Sequence, residues 1–157
     1  MNRRGLWAAC VVLILLVVGG GVLTVGTGYA KDENAAGAKC SEATLDGTYL
    51  FAFNGVDISG KNQVPFAVAG YQVSNGNGKL NGVFSANFNG QITRKEPFSG
   101  TYTVKANCTS TLTLTDGTQY DQFIAPDGSM LTFVQTKPPE GVTSGFALQG
   151  TAKRVGD

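Results

Sequence analysis

Turn dipeptides punctuate this chain so often that little besides short β-strands fits between them. Asn54-Gly55, Asn75-Gly76, Asn77-Gly78, Asn89-Gly90, Asp116-Gly117 and Asp127-Gly128 divide the sequence beyond Lys31 into runs rich in Thr, Val, Phe, Tyr and Leu. Asparagine, aspartate and glycine tolerate the left-handed backbone of hairpin turns, and β-branched and aromatic residues suit the strands between them. No stretch beyond Lys31 has the length and the apolar spacing of a convincing helix.

The runs alternate with period two. Gly47–Phe53 would place Tyr49, Phe51 and Phe53 on one face, with Asn54-Gly55 ending that strand. Further strands are expected near Phe66–Val73, Leu80–Phe88, Gln91–Lys95, Phe98–Lys105, Thr109–Thr115, Thr118–Ala125, Ser129–Thr136 and Gly145–Lys153. Pro97 should end the short, charged Gln91–Lys95 strand at an edge or rim. In Thr109–Thr115, Leu112 and Leu114 should point inward and Thr111, Thr113 and Thr115 outward. Sequential hairpins favour an all-β, single antiparallel up-and-down barrel of about eight strands, because closure removes exposed edges. A β-sandwich is the alternative fold, but it requires long crossings between sheets.

The N-terminus carries Arg3-Arg4, an uncharged stretch from Gly5 to Ala30 and the small-residue exit Gly28-Tyr29-Ala30. These are the parts of a secretory signal, so residues 1–30 are expected to form a signal helix cleaved after Ala30. An uncleaved anchor is the rival, since the stretch is long enough to cross a bilayer. Residues 31–44 read as a flexible segment and residues 45–157 as the barrel domain. The expected location is periplasmic or extracellular, with membrane contact only through an uncleaved signal. Without Arg3 and Arg4, ten basic residues face eleven acidic ones. That leaves no basic surplus for nucleic acid.

Cys40 and Cys108 remain after such processing, and an exported chain with one pair is most simply read as carrying one disulfide. The chain has no histidine, which removes Ser-His-Asp catalysis and His-ligated metal. No metal and no cofactor are expected. Of the carboxylates nearest the strands, Asp57, Glu96 and Asp121, the last lies between Tyr120 and Phe123 and is the best candidate for an inward acid. The aromatic residues are the other candidates. Tyr49, Phe51, Phe53, Phe84, Phe88 and Tyr102 are expected to border a ligand cavity, and Phe123, Phe133 and Phe146 could join them.

Leu45-Asp46-Gly47-Thr48-Tyr49 and Thr151-Ala152-Lys153-Arg154 resemble the first and last strands of calycin-like barrels such as lipocalins and avidins. Those families carry a Gly-x-aromatic motif and often a basic residue packed near the aromatic ring. Tyr49 stands where they usually have tryptophan. The runs Phe98–Val104, Asn107-Cys108-Thr109 and Gln135–Pro138 resemble small exported bacterial proteins and allene-oxide-cyclase-like barrels. The first resemblance implies a binder of a small hydrophobic ligand. The second implies a cyclase or isomerase. A ligand-free structural or adhesive module is the third reading.

Overall fold

A computed structural model describes residues 39–59 and 61–156. The expected signal segment 1–30, its cleavage site and residues 31–38 lie outside the described residues. Eight antiparallel strands form a closed barrel in sequence order: β1 (Gly47–Ser59), β2 (Asn62–Ser74), β3 (Lys79–Phe88), β4 (Gln91–Val104), β5 (Thr109–Leu114), β6 (Gln119–Ile124), β7 (Met130–Lys137) and β8 (Gly145–Arg154). Closure comes from pairing β1 with β8, from Tyr49 opposite Arg154 to Ile58 opposite Gly145. The fold is therefore the barrel and not the sandwich.

Two of the expected breaks are absent. Asn54-Gly55 does not turn the chain. Gly55 lies within β1 opposite Phe66 and Leu148, and a side chain there would come within 2.6 Å of Leu148 Cβ. The glycine answers a close approach between strands and not a turn. Nor does Pro97 end a strand, because Gln91–Val104 is one continuous element. Only its part from Gly100 onward pairs with β5, so proline sits where the strand has a neighbour on one side only. The charged run instead holds a bulge. Lys95 adopts φ 56° and its N–H donates to Ser85 Oγ at 3.1 Å. The register of β3 against β4 shifts at that point.

Other turns form as their sequences dictate. Asn89 and Gly90, both with positive φ, connect β3 to β4 as a two-residue hairpin. Gly117 takes the left-handed position that closes the β5–β6 hairpin, with its N–H on Leu114 O.

The barrel has two unlike ends. At one end the described residues that precede β1, from Lys39 onward, fold inward. A 3-10 turn, Glu42–Leu45, buries Leu45, and Cys40 is buried beside it. Cys40 and Cys108 are joined in a disulfide with their Cα atoms 5.0 Å apart. The Tyr49 ring, fully buried, donates its hydroxyl proton to Gly128 O at 2.7 Å. Arg154 donates to the same hydroxyl from Nε at 3.2 Å and Nη2 at 3.0 Å, and its guanidinium lies 5.5 Å from the Tyr49 ring centre. A further bond runs from Arg154 Nη2 to Thr44 O. Tyr102 donates to Glu42 O at 3.2 Å. This end is closed by packing and by hydrogen bonds among five parts of the chain. The opposite end carries the β1–β2, β3–β4, β5–β6 and β7–β8 connections.

Candidate functional site: an aromatic cavity inside the barrel

The inner wall combines large rings with residues that have no side chain at all. Phe51 lies against Gly70, Phe98 against Gly82, and both Phe53 and Phe133 against Gly150. A methyl group at Gly82 would come within 2.7 Å of the Phe98 ring, and one at Gly70 within 2.8 Å of Phe51. Each glycine thus makes room for a ring on a neighbouring strand, which lets many rings share a narrow barrel. Several of the rings meet edge to face. Phe51 and Phe98 have centroids 5.7 Å apart at 86°, Phe53 and Phe133 5.7 Å at 77°, and Tyr120 and Phe133 5.7 Å at 89°.

These rings do not fill the interior. They enclose a cavity of about 410 Å³ that reaches from Gln72 and Leu112 to Phe88, Asp116 and Pro139 at the end away from the disulfide. Pro139 is held there because the β7–β8 connection folds back onto the β5–β6 turn, with the Glu140 N–H on Asp116 O at 2.8 Å. The wall is mostly apolar. A few polar side chains interrupt it: Asp57, Gln72, Tyr120, Gln122 and Gln135 among them. Gln122 accepts from Ser110 Oγ at 2.9 Å, and Gln135 donates to Lys137 O at 3.1 Å. An apolar pocket with a few placed polar groups is the form that small-molecule sites take.

Four of the six residues expected at a cavity are brought together here: Phe51, Phe53, Phe84 and Phe88 all line it, as do Phe133 and Phe146. Tyr49 and Tyr102 are not among the lining residues. Their rings belong to the closed end, where their hydroxyls are engaged by Gly128, Arg154 and Glu42. Phe123 also lies elsewhere, 56% exposed on the outer surface. Asp121 faces outward as well. Both follow from the phase of β6. Tyr120 stands opposite the inward Leu112 and shares its face, which turns Asp121 and Phe123 away. The inward carboxylate is Asp57, not Asp121. Phe66, Phe98, Gln72 and Gln122 also line the cavity, beyond the residues expected from the sequence. Alternation from Phe66 through Val68 to Gln72 carries the signal for two of them.

Burial pushes the Tyr120 hydroxyl up to about 12, and Asp116 adds to the effect. Burial raises Tyr49 and Tyr102 as well, with Arg154 opposing it at Tyr49. An unfolded tyrosine ionises near pH 10, whereas folded Tyr120 keeps its proton to about pH 12. The stability this contributes is present in full below pH 10 and is lost as pH rises toward 12. The urea midpoint should therefore fall between about pH 10 and 12, and Tyr120→Phe should flatten that fall. An equally steep fall in the variant would show that Tyr120 is not the group responsible.

No family model, curated protein or solved structure matches this chain.

Proposed function

We propose that this chain is an exported, calycin-like barrel protein that binds a small hydrophobic molecule inside its barrel. The observation that carries the reading is the aromatic-walled cavity of about 410 Å³, within the range of small-molecule sites. A barrel built only as a filled structural module would have no reason to leave this space among so many rings. Arg154 against Tyr49 is the contact that the resemblance to calycin-like barrels implies, and it supports that kinship. The disulfide supports export, because such bonds persist in oxidising compartments.

The test uses the neutral, environment-sensitive dye Nile red. It should bind at one per chain and raise the melting temperature by mass action. Phe84→Ala should change its affinity more than Thr111→Ala, since Phe84 lines the cavity and Thr111 faces solvent. Absence of saturable binding would leave the filled, structural barrel as the better account.

A cyclase or isomerase resembling the allene-oxide-cyclase-like barrels is the second reading. It draws on Asp57 and Tyr120, a carboxyl group and a phenol among the few polar side chains of a mostly apolar wall. Such an enzyme would act chiefly by holding a flexible substrate in a reactive fold. Conversion of a bound apolar substrate, abolished by Asp57→Asn without loss of binding, would favour it over simple carriage.

A further inference from the structure

The cavity wall carries acid and no base. Asp57 and Asp116 line it, and no lysine or arginine is among the lining residues. Asp57 is set by register. It is the inward residue of β1 after Tyr49, Phe51, Phe53 and Gly55, opposite Val64 on β2 and Phe146 on β8. Neither cross-strand neighbour offers a donor. Asp57 Oδ1 is buried and has no hydrogen-bond partner. A carboxylate oxygen so placed is costly unless something brings it a proton donor or a positive charge.

The surroundings say what that partner can be. Phe66 is the next inward residue of β2 after Val64, and its ring meets Phe146 at 6.1 Å and Phe88 at 5.0 Å. Aromatic rings beside a carboxylate are a setting that attracts an organic cation, through the rings' polarisability and the negative charge together. A metal ion lacks ligands here: no group of three or more His, Cys, Asp or Glu side chains able to hold one occurs among the described residues. An anionic ligand would meet two carboxylates and no base.

We propose that the ligand is an organic ammonium ion with an apolar body. Its ammonium group donates to Asp57 Oδ1 beside Phe66 and Phe146, and its body lies among Phe53, Phe133 and Leu131 deeper in the barrel. Asp116, one of whose oxygens is held by the Thr118 N–H at 3.0 Å, adds negative charge at the mouth and favours entry of cations. This inference rests on the cavity being a ligand site and assigns the class of ligand.

Three probes of one shape test it: 4-phenylbutylammonium, 4-phenylbutanol and 4-phenylbutanoate, titrated calorimetrically into the full-length, disulfide-bonded protein. The ammonium should bind about tenfold or more tightly than the alcohol, because it brings a positive charge to the Asp57 carboxylate, and the carboxylate probe most weakly, because like charges repel. Asp57→Asn should abolish the preference for the ammonium, weakening ammonium binding far more than alcohol binding. In the unmodified protein the ¹³C resonance of the Asp57 carboxylate should move with the ammonium and stay fixed with the alcohol, which tests the contact should the variant fail to fold. Equal affinity for ammonium and alcohol, or a preference that survives Asp57→Asn, would overturn the ammonium assignment and leave the binding cavity standing. If the three probes and Nile red all fail to bind, both readings fall together. Binding of Nile red alone overturns only this one.

Discussion

Removing the Cys40–Cys108 bond should lower the stability of the barrel by about 4 kcal/mol, the loop-closure effect of a cross-link spanning 68 residues. Urea unfolding of the oxidised protein against the Cys40→Ala/Cys108→Ala double variant measures it. The bond is not the only attachment at that end. Leu45 is buried, Arg154 holds Thr44 O, and Glu42 accepts from the Tyr102 hydroxyl and from the Val104 N–H at 3.3 Å. The double variant should therefore still fold under mild conditions, with the 3-10 turn in place, and lose stability chiefly because its unfolded chain is freer. A second comparison separates this from local strain. Cys108 has φ 63° in the β4–β5 turn, a conformation that glycine adopts without penalty. Cys40→Ala/Cys108→Gly should recover about 1 kcal/mol relative to Cys40→Ala/Cys108→Ala. Equal stability of the oxidised protein and both variants would mean that the bond contributes nothing to the fold.

How far the sequence discloses this arrangement depends on which residues sit at turns and which sit at close approaches. Asn89-Gly90 and Asp116-Gly117 are turns, and the strands on either side of them follow. Asn54-Gly55 has the same composition and is not a turn. What separates them is a neighbour, Leu148, that lies far along the chain and is invisible to local pattern. Reading that pair as a turn cut β1 short and hid the alternation that runs on through Gly55 to Asp57. The phase of β6 was legible in principle. With Gly117 in the left-handed position of a three-residue hairpin, Leu114 faces Thr118 and Leu112 faces Tyr120. Since alternation turns Leu112 inward, Tyr120 must be inward too, and Asp121 outward. The division of the aromatic residues between a cavity and a plug was not legible. Tyr49, Phe51 and Phe53 are equivalent in spacing. Only the positions of Arg154, Gly128 and the 3-10 turn make the first a structural residue and leave the others at a cavity.

Tyr49→Ala is expected to be among the most destabilising single substitutions in the barrel, at about 4–5 kcal/mol. Tyr49 is fully buried, so its truncation opens a hole with no adjoining space to absorb it. It also strands the Gly128 carbonyl and takes from Arg154 one of its two acceptors, leaving only Thr44 O. Tyr49→Phe separates the two contributions. The ring stays, the hydroxyl goes, and the cost should fall to about 1–3 kcal/mol for the groups left unpaired. Nile red affinity supplies the complementary readout. Tyr49→Phe should leave it unchanged, because that ring does not line the cavity, whereas Phe84→Ala should alter it. Phe84→Ala should in turn cost less stability than Tyr49→Ala, because the Phe84 ring already borders open space and gives up fewer contacts on removal. If Tyr49→Phe weakened dye binding as much as Phe84→Ala did, the closed end and the binding end would not be separate. The barrel would then have to be treated as one continuous site from the disulfide to the mouth.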